Sequence, residues 1–130
     1  MILRSVFPTD LQFLYDLMTE PSIRAVSHNK QLFTFEEHSN YWWRKINDPY
    51  FEARIIEEDA KPIGLIRRNN GTISIAILPQ WQNKGIGTEV LKAFCKIGDK
   101  AEIFPANMKS FSVFEKAGFE VKFATMEKNA

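Results

Sequence analysis

Two glycines one residue apart, Gly85 and Gly87, lie between an apolar run over 73–78 that reads as a buried strand and a run from Ile86 that reads as a helix. Glycine lets the backbone turn tightly and approach a ligand. The first N–H groups of the new helix have no intrahelical partner and carry the positive end of its dipole. The turn is therefore an anion site of a size that suits a diphosphate. Its spacing narrows the kind: a dinucleotide fingerprint needs glycine or alanine three residues after the second glycine, where this chain has Val90. A P-loop needs Gly-Lys followed by Ser or Thr after four spacer residues, a string the chain lacks.

At 130 residues the chain is expected to form one domain, burying about two-thirds of the surface its unfolded form exposes. Its composition, 45% hydrophobic and 25% charged, is that of an ordinary globular protein. A net charge of +1 without any basic run argues against nucleic acid or an anionic membrane as partner. The single cysteine, Cys95, cannot form an internal disulfide and reads as a small buried hydrophobe. Two histidines and one cysteine offer no metal-ligand cluster, so no metal is expected. The apolar start, 1–7, is too short for a signal peptide, and no segment approaches the ~20 apolar residues of a membrane span. A cytoplasmic enzyme is the expectation. With 11 Phe, 3 Trp and 3 Tyr the surface can carry an apolar patch, which leaves both monomer and homodimer open.

Periodicity divides the chain further. A strand over 3–7 precedes a helix in which Thr9 and Gln12 have capping-box spacing and Leu11, Leu14, Leu17 and Met18 share one side, ending before Pro21. Residues 21–33 read as a polar loop or irregular helix. Thr34 and Glu37 form a second capping box, opening a helix through His38, Trp42 and Ile46 to about Asn47. Strands over 51–57, 63–68 and 72–78 follow, the last two joined by a hairpin turn at Asn69-Asn70-Gly71. After the Gly85 helix come a short strand at 101–104, a helix over 107–117 stopped by Gly118, and a strand over 119–124. The expectation is a single α+β domain over 1–126, a mixed central sheet with helices on both faces, and a short polar tail at 127–130.

Gln82-Asn83-Lys84-Gly85-Ile86-Gly87 resembles the Gln/Arg-x-x-Gly-x-Gly pyrophosphate motif of the GCN5-related N-acetyltransferase (GNAT) superfamily. Asn107-Met108-Lys109-Ser110-Phe111-Ser112-Val113-Phe114-Glu115-Lys116-Ala117-Gly118-Phe119 is similar to that family's Asn-x-x-(Ser/Ala)-x-x-x-(Tyr/Phe)-x-x-x-Gly-Phe block, and the order of elements agrees. The resemblance implies an acetyl-CoA-dependent N-acetyltransferase acting on the primary amine of a small acceptor. It implies that acetyl-CoA lies in a V-shaped opening between two splayed parallel strands. Main-chain groups around Ile77 and Leu78 would then hold the pantetheine, and N–H groups from Gln82 through Asn83, Gly85, Ile86, Gly87 and Thr88 would hold the pyrophosphate. Lys84 would add charge nearby, and Asn107 and Phe114 would contact the cofactor arm.

The chain departs from the family at two chemical positions. Many relatives have a tyrosine that protonates the leaving thiolate where this chain has Phe114, and the strand that often carries a catalytic carboxylate reads Thr72-Ile73-Ser74-Ile75-Ala76. His38, whose unperturbed pKa is near ~6.5, is then the candidate base. Its segment, with 25–29, resembles a GNAT subgroup that acetylates nucleotide-linked amino sugars, as in the pseudaminic acid pathway. By that resemblance Trp42 would form a platform for the sugar, with Ser27, His28, Asn29, His38 and Ser74 lining the acceptor pocket. The alternatives are a protein or peptide N-acetyltransferase, a non-catalytic acyl-CoA-binding module, and a core role for His38 and Trp42.

Overall fold

The computed structural model describes residues 1–27 and 29–129. Strand β1 (Ile2–Arg4) and a 3-10 turn (Pro8–Asp10) lead into helices α1 (Leu11–Thr19), α2 (Pro21–Ala25) and α3 (Phe35–Lys45). Strands β2 (Phe51–Glu58), β3 (Lys61–Asn69) and β4 (Thr72–Ile77) follow, then a second 3-10 turn (Pro79–Trp81), α4 (Ile86–Phe94) and α5 (Met108–Lys116). The strands form one antiparallel sheet in the order β1-β2-β3-β4, so β4 is an edge.

Strand parity divides the core in two. Ile56, Ile66 and Ile73 pack with Val90, Leu91 and Phe114 on one face, while Ile55 and Leu65 pack with Leu14, Leu17, Ile23 and Trp42 on the other. Helices therefore cover both faces, as the apolar periodicity implies. One residue breaks the alternation: Ile63 belongs with Ile66, three positions on. The cause is a bulge, for Ile56 pairs with Gly64 and Glu57 with Pro62, leaving Ile63 as the extra residue. Its carbonyl accepts the N–H of Leu78 at 2.9 Å, which ties the end of β4 to the bulge. Gly64 is required next to it, because a Cβ there would lie 2.4 Å from the Ala76 carbonyl oxygen.

The Thr34 box forms as expected: Thr34 N–H donates to Glu37 Oε1 at 2.9 Å and Glu37 N–H to Thr34 Oγ1 at 3.1 Å. The Thr9 and Gln12 box does not. Asp10 takes its place, accepting from Phe7 N–H at 2.7 Å while Arg4 grips both of its oxygens at 2.8 and 2.9 Å. The helical turn thus starts at Phe7, two residues before Thr9, because a carboxylate held by a guanidinium is a strong acceptor for the Phe7 N–H. The 21–33 stretch contains the short helix α2, capped by the Glu20 side chain.

The β2–β3 turn holds Asp59 and Ala60 at φ 52° and 62°, both left-handed. Alanine at such an angle carries strain of about 1 kcal/mol. Ala60→Gly is therefore expected to raise stability by roughly 0.5 to 1 kcal/mol, readable as a higher urea midpoint with unchanged slope. An equal or lower midpoint would show that unfolded-chain entropy cancels the relief.

Two expected strands are corrected. The 101–104 segment joins no ladder: a single parallel bridge, Thr72 with Lys100, holds its start, and Ile73 N–H donates to the Lys100 carbonyl at 2.7 Å. Beyond that point the two segments separate. The 119–124 segment has no strand pairing either, and Val121 and Phe123 are exposed. With 101–104 off the sheet, no ladder edge continues toward it. The sheet is thus antiparallel with one parallel bridge, in place of the mixed six-strand sheet that the pattern implied. Arg68 anchors the bridge by gripping Asp99 at 2.8 and 2.7 Å, and Lys96 N–H donates to the same carboxylate at 2.7 Å. These contacts hold the Asp99 carboxyl below its ordinary range.

Candidate functional site

The separation of β4 from 101–104 opens a cleft of about 950 Å³. Its walls are β4 residues Ile73 to Ile77, the Glu102 and Ile103 segment, the start of α4, one side of α5, and α2 with the residues after it. Strand parity sets the main chain of this wall. Because Ile73 N–H points away from β3, to Lys100, the N–H and C=O groups of Ile75 and Ile77 point the same way. Gln82 Nε2 donates to the Ile77 carbonyl at 2.8 Å, which closes one of these groups. The N–H and C=O of Ile75 and the N–H of Ile77 face the cleft with no partner among the described residues. An extended amide-bearing arm fits such an edge.

The glycine turn supplies the other half. Asn83 and Gly85 are left-handed, at φ 61° and 80°, and Gly85 precedes α4 without any side-chain cap. The first intrahelical bond runs from Glu89 N–H to the Gly85 carbonyl, so the N–H groups of Ile86, Gly87 and Thr88 have no helical acceptor. Gln82, Asn83, Gly85, Ile86, Gly87 and Thr88 all line the cleft. Gly87 has a second reason to be glycine: a Cβ there would sit 3.1 Å from Val113 Cγ1 on α5. Unpartnered, converging N–H groups at a dipole's positive end suit a diphosphate.

Asn107 and Phe114 also line the cleft. Asn107 caps α5, its Oδ1 accepting from Ser110 N–H at 3.3 Å, and Phe114 is buried, edge-on to Phe119 at 4.9 Å. Ser27, Asn29 and Ser74 stand on the other wall, while His28 lies outside the described residues.

Four expectations are corrected. Leu78 cannot serve the pantetheine through its N–H, which is spent on Ile63 inside the sheet, and its side chain packs against the α1 to α3 core. Lys84 is exposed and does not line the cleft. Trp42 is 5% exposed and packs among Leu14, Leu17, Tyr41 and Phe51. His38 is 4% exposed, stacked on Phe33 at 5.8 Å and edge-on to Tyr15 at 5.5 Å. Its Nε2 lies 3.1 Å from the Leu11 carbonyl, so this nitrogen carries the proton and donates it. Burial holds its pKa below the ordinary value, and the charge of Arg67 adds to the effect. His38 thus ties α3 to α1 and has no path to a substrate proton in the cleft.

The charged cleft residues Arg24, Arg67 and Glu102 are among those missed in the sequence. Arg67 was detectable. In a strand covered on both faces, Arg67 and Arg68 must point to opposite sides, and each needs a reason to be there. Cys95 has no role at the site, since burial pushes its thiol up to about 11. Among the described residues no group of His, Cys, Asp and Glu could hold a metal ion, and no helix is long and apolar enough to cross a membrane.

A family model for the acetyltransferase (GNAT) domain matches residues 1–120, and the chain belongs to that family. It is an acetyltransferase that takes acetyl-CoA as co-substrate. The fold is similar to that of the spermidine N-acetyltransferase from Vibrio cholerae in complex with CoA and spermine. The TM-score is 0.79 at 20% identity, over 90% of this chain and 79% of that one. It is also similar to the aminoglycoside acetyltransferase AAC(6')-Ib in complex with coenzyme A and kanamycin, with a TM-score of 0.73 at 19% identity over 91% and 83% of the two chains. A search of curated proteins found no match.

Proposed function

We propose that this chain transfers an acetyl group from acetyl-CoA to the primary amine of a small, polar acceptor, and that the acceptor is a nucleotide-linked amino sugar. The observation that carries the reading is the double-sided cleft. Free main-chain groups at Ile75 and Ile77 and the uncapped start of α4 suit acetyl-CoA, and Ser22, Ser27, Asn29 and Ser74 face the same space with groups that read hydroxyls. The Ile77 N–H is placed to stabilise the oxygen that becomes negative when the amine attacks the thioester. Among the described lining residues Glu102 is the one carboxylate, and it replaces His38 as the candidate that takes the ammonium proton. Phe114 offers no proton, so the thiolate leaves with one from solvent or from the ammonium. A cytoplasmic enzyme fits this chemistry, because acetyl-CoA is its donor.

Free-thiol release is the measurement. Acetyl-CoA with a panel of 4-amino-4,6-dideoxy sugar nucleotides is expected to give thiol in proportion to acceptor. Tight acetyl-CoA binding with no thiol from any amine would favour a non-catalytic acyl-CoA module. Release only with peptides would move the acceptor to the protein class.

A further inference from the structure

We propose that Arg24 and Arg67 form a recognition pair for a phosphate group carried by the acceptor, and that this pair sets the enzyme against polycationic amines. The inference rests on the acceptor reading above. Arg4, Arg54 and Arg68 each have a carboxylate within 3.9 Å, while Arg24 and Arg67 have none among the described residues. Both line the cleft.

Neutral groups hold them instead. Arg24 donates from Nη1 to the Met18 carbonyl at 3.2 Å and from Nη2 to the Asn29 carbonyl, and its guanidinium lies 5.3 Å from the Phe33 ring centre. Its Nε is buried without an acceptor. Arg67 donates from Nη1 to the Tyr41 hydroxyl at 3.2 Å and lies 6.0 Å from that ring's centre. Carbonyls, a phenol and ring faces orient a guanidinium without cancelling its charge. The two arginines also act on each other: burial, then the charge of Arg67, lowers the Arg24 pKa from its ordinary value. Two oriented like charges lining one cleft, neither beside a carboxylate, are relieved by an anion that accepts from both.

Position separates this anion from those of acetyl-CoA. Arg67 has the parity of Leu65 and Ala53, facing α1 to α3, whereas α4 packs on the opposite face. It stands opposite Ser74 in the ladder, three residues before Ile77. At about 3.3 Å per residue, Ser74 and Ile77 are on the order of 10 Å apart along β4. A spacing of that order suits an amino sugar bearing a phosphate or diphosphate better than an α-amino acid, whose carboxylate is two bonds from its amine. Lys109 and Lys116 line the cleft as well, against the one carboxylate of Glu102, so spermine or kanamycin would meet charges of its own sign.

Steady-state thiol release with four acceptors tests the pair: an amino sugar linked to a nucleoside diphosphate, the same amino sugar without phosphate, glutamate, and spermidine. The expected result is the highest kcat/KM for the phosphorylated acceptor. Arg67→Gln and Arg24→Gln should each raise its KM by about 10- to 100-fold, with kcat within about threefold and acetyl-CoA affinity unchanged. Arg67→Lys should recover part of the loss. A melting temperature on each variant separates a folding defect from a binding one, and either arginine alone suffices as the readout. Preference for spermidine, or an unchanged KM in both folded Gln variants, would overturn the pair's role. Thiol release from none of the four would overturn the acceptor reading beneath it.

Discussion

Thr88→Glu is expected to lower acetyl-CoA affinity by roughly 100-fold or more while leaving the melting temperature at or slightly above its original value. Thr88 is the third residue of α4, and its N–H has no helical acceptor. A glutamate at that position satisfies free N–H groups and complements the dipole, so the helix gains. The same carboxylate occupies the place of the diphosphate and repels it, and a 100-fold loss corresponds to about 2.7 kcal/mol. Gly87→Glu is the less clean experiment, because any Cβ at that position presses on Val113 at 3.1 Å and disturbs α5. Calorimetric titration with CoA, beside a thermal melt, makes the measurement. Unchanged affinity in the folded variant would refute the placement of the diphosphate at the α4 start.

His38→Ala is expected to cost about 2 to 4 kcal/mol of stability and to leave kcat per folded molecule nearly intact. The change removes the bond to the Leu11 carbonyl and opens a void among Tyr15, Phe33, Phe35 and Trp42. The pH dependence has a definite sign. Burial lowers the His38 pKa in the folded state, so below the unfolded value near ~6.5 the unfolded chain binds more protons. The stability linked to this group is complete above about pH 6.5 and is lost as pH falls through the depressed folded pKa. His38→Gln keeps a donor toward Leu11 without titrating, and should flatten that part of the stability curve between pH 7.5 and 5.5. A large drop in kcat for well-folded His38→Gln, with the melting temperature held, would return the histidine to the chemistry.

Local chemistry made some features legible in the sequence. The Thr34 and Glu37 box forms where its spacing places it, since both partners lie within one turn. Asn70 and Gly71 take the left-handed angles that the hairpin turn demands. The start of α4 suits an anion for reasons contained in six consecutive residues. The acceptor wall was less legible. His38 and Trp42 share a helix face at a spacing that serves a pocket or a core equally well, and their partners Leu11 and Leu14 come from another helix. Period alone cannot name the neighbour.

The apolar alternation of β2 to β4, the glycine turn and the α5 block therefore determined the family, the two-faced sheet and the open N–H groups at the start of α4, because each depends on contacts short in sequence. What tertiary structure decided is how β4 meets 101–104. One parallel bridge, held by the Arg68 and Asp99 pair across 31 residues, lets them part and makes the cleft. It also decided which arginine of the Arg67 and Arg68 pair is neutralised and which faces the cleft with its charge unpaired, a difference of one residue in strand parity.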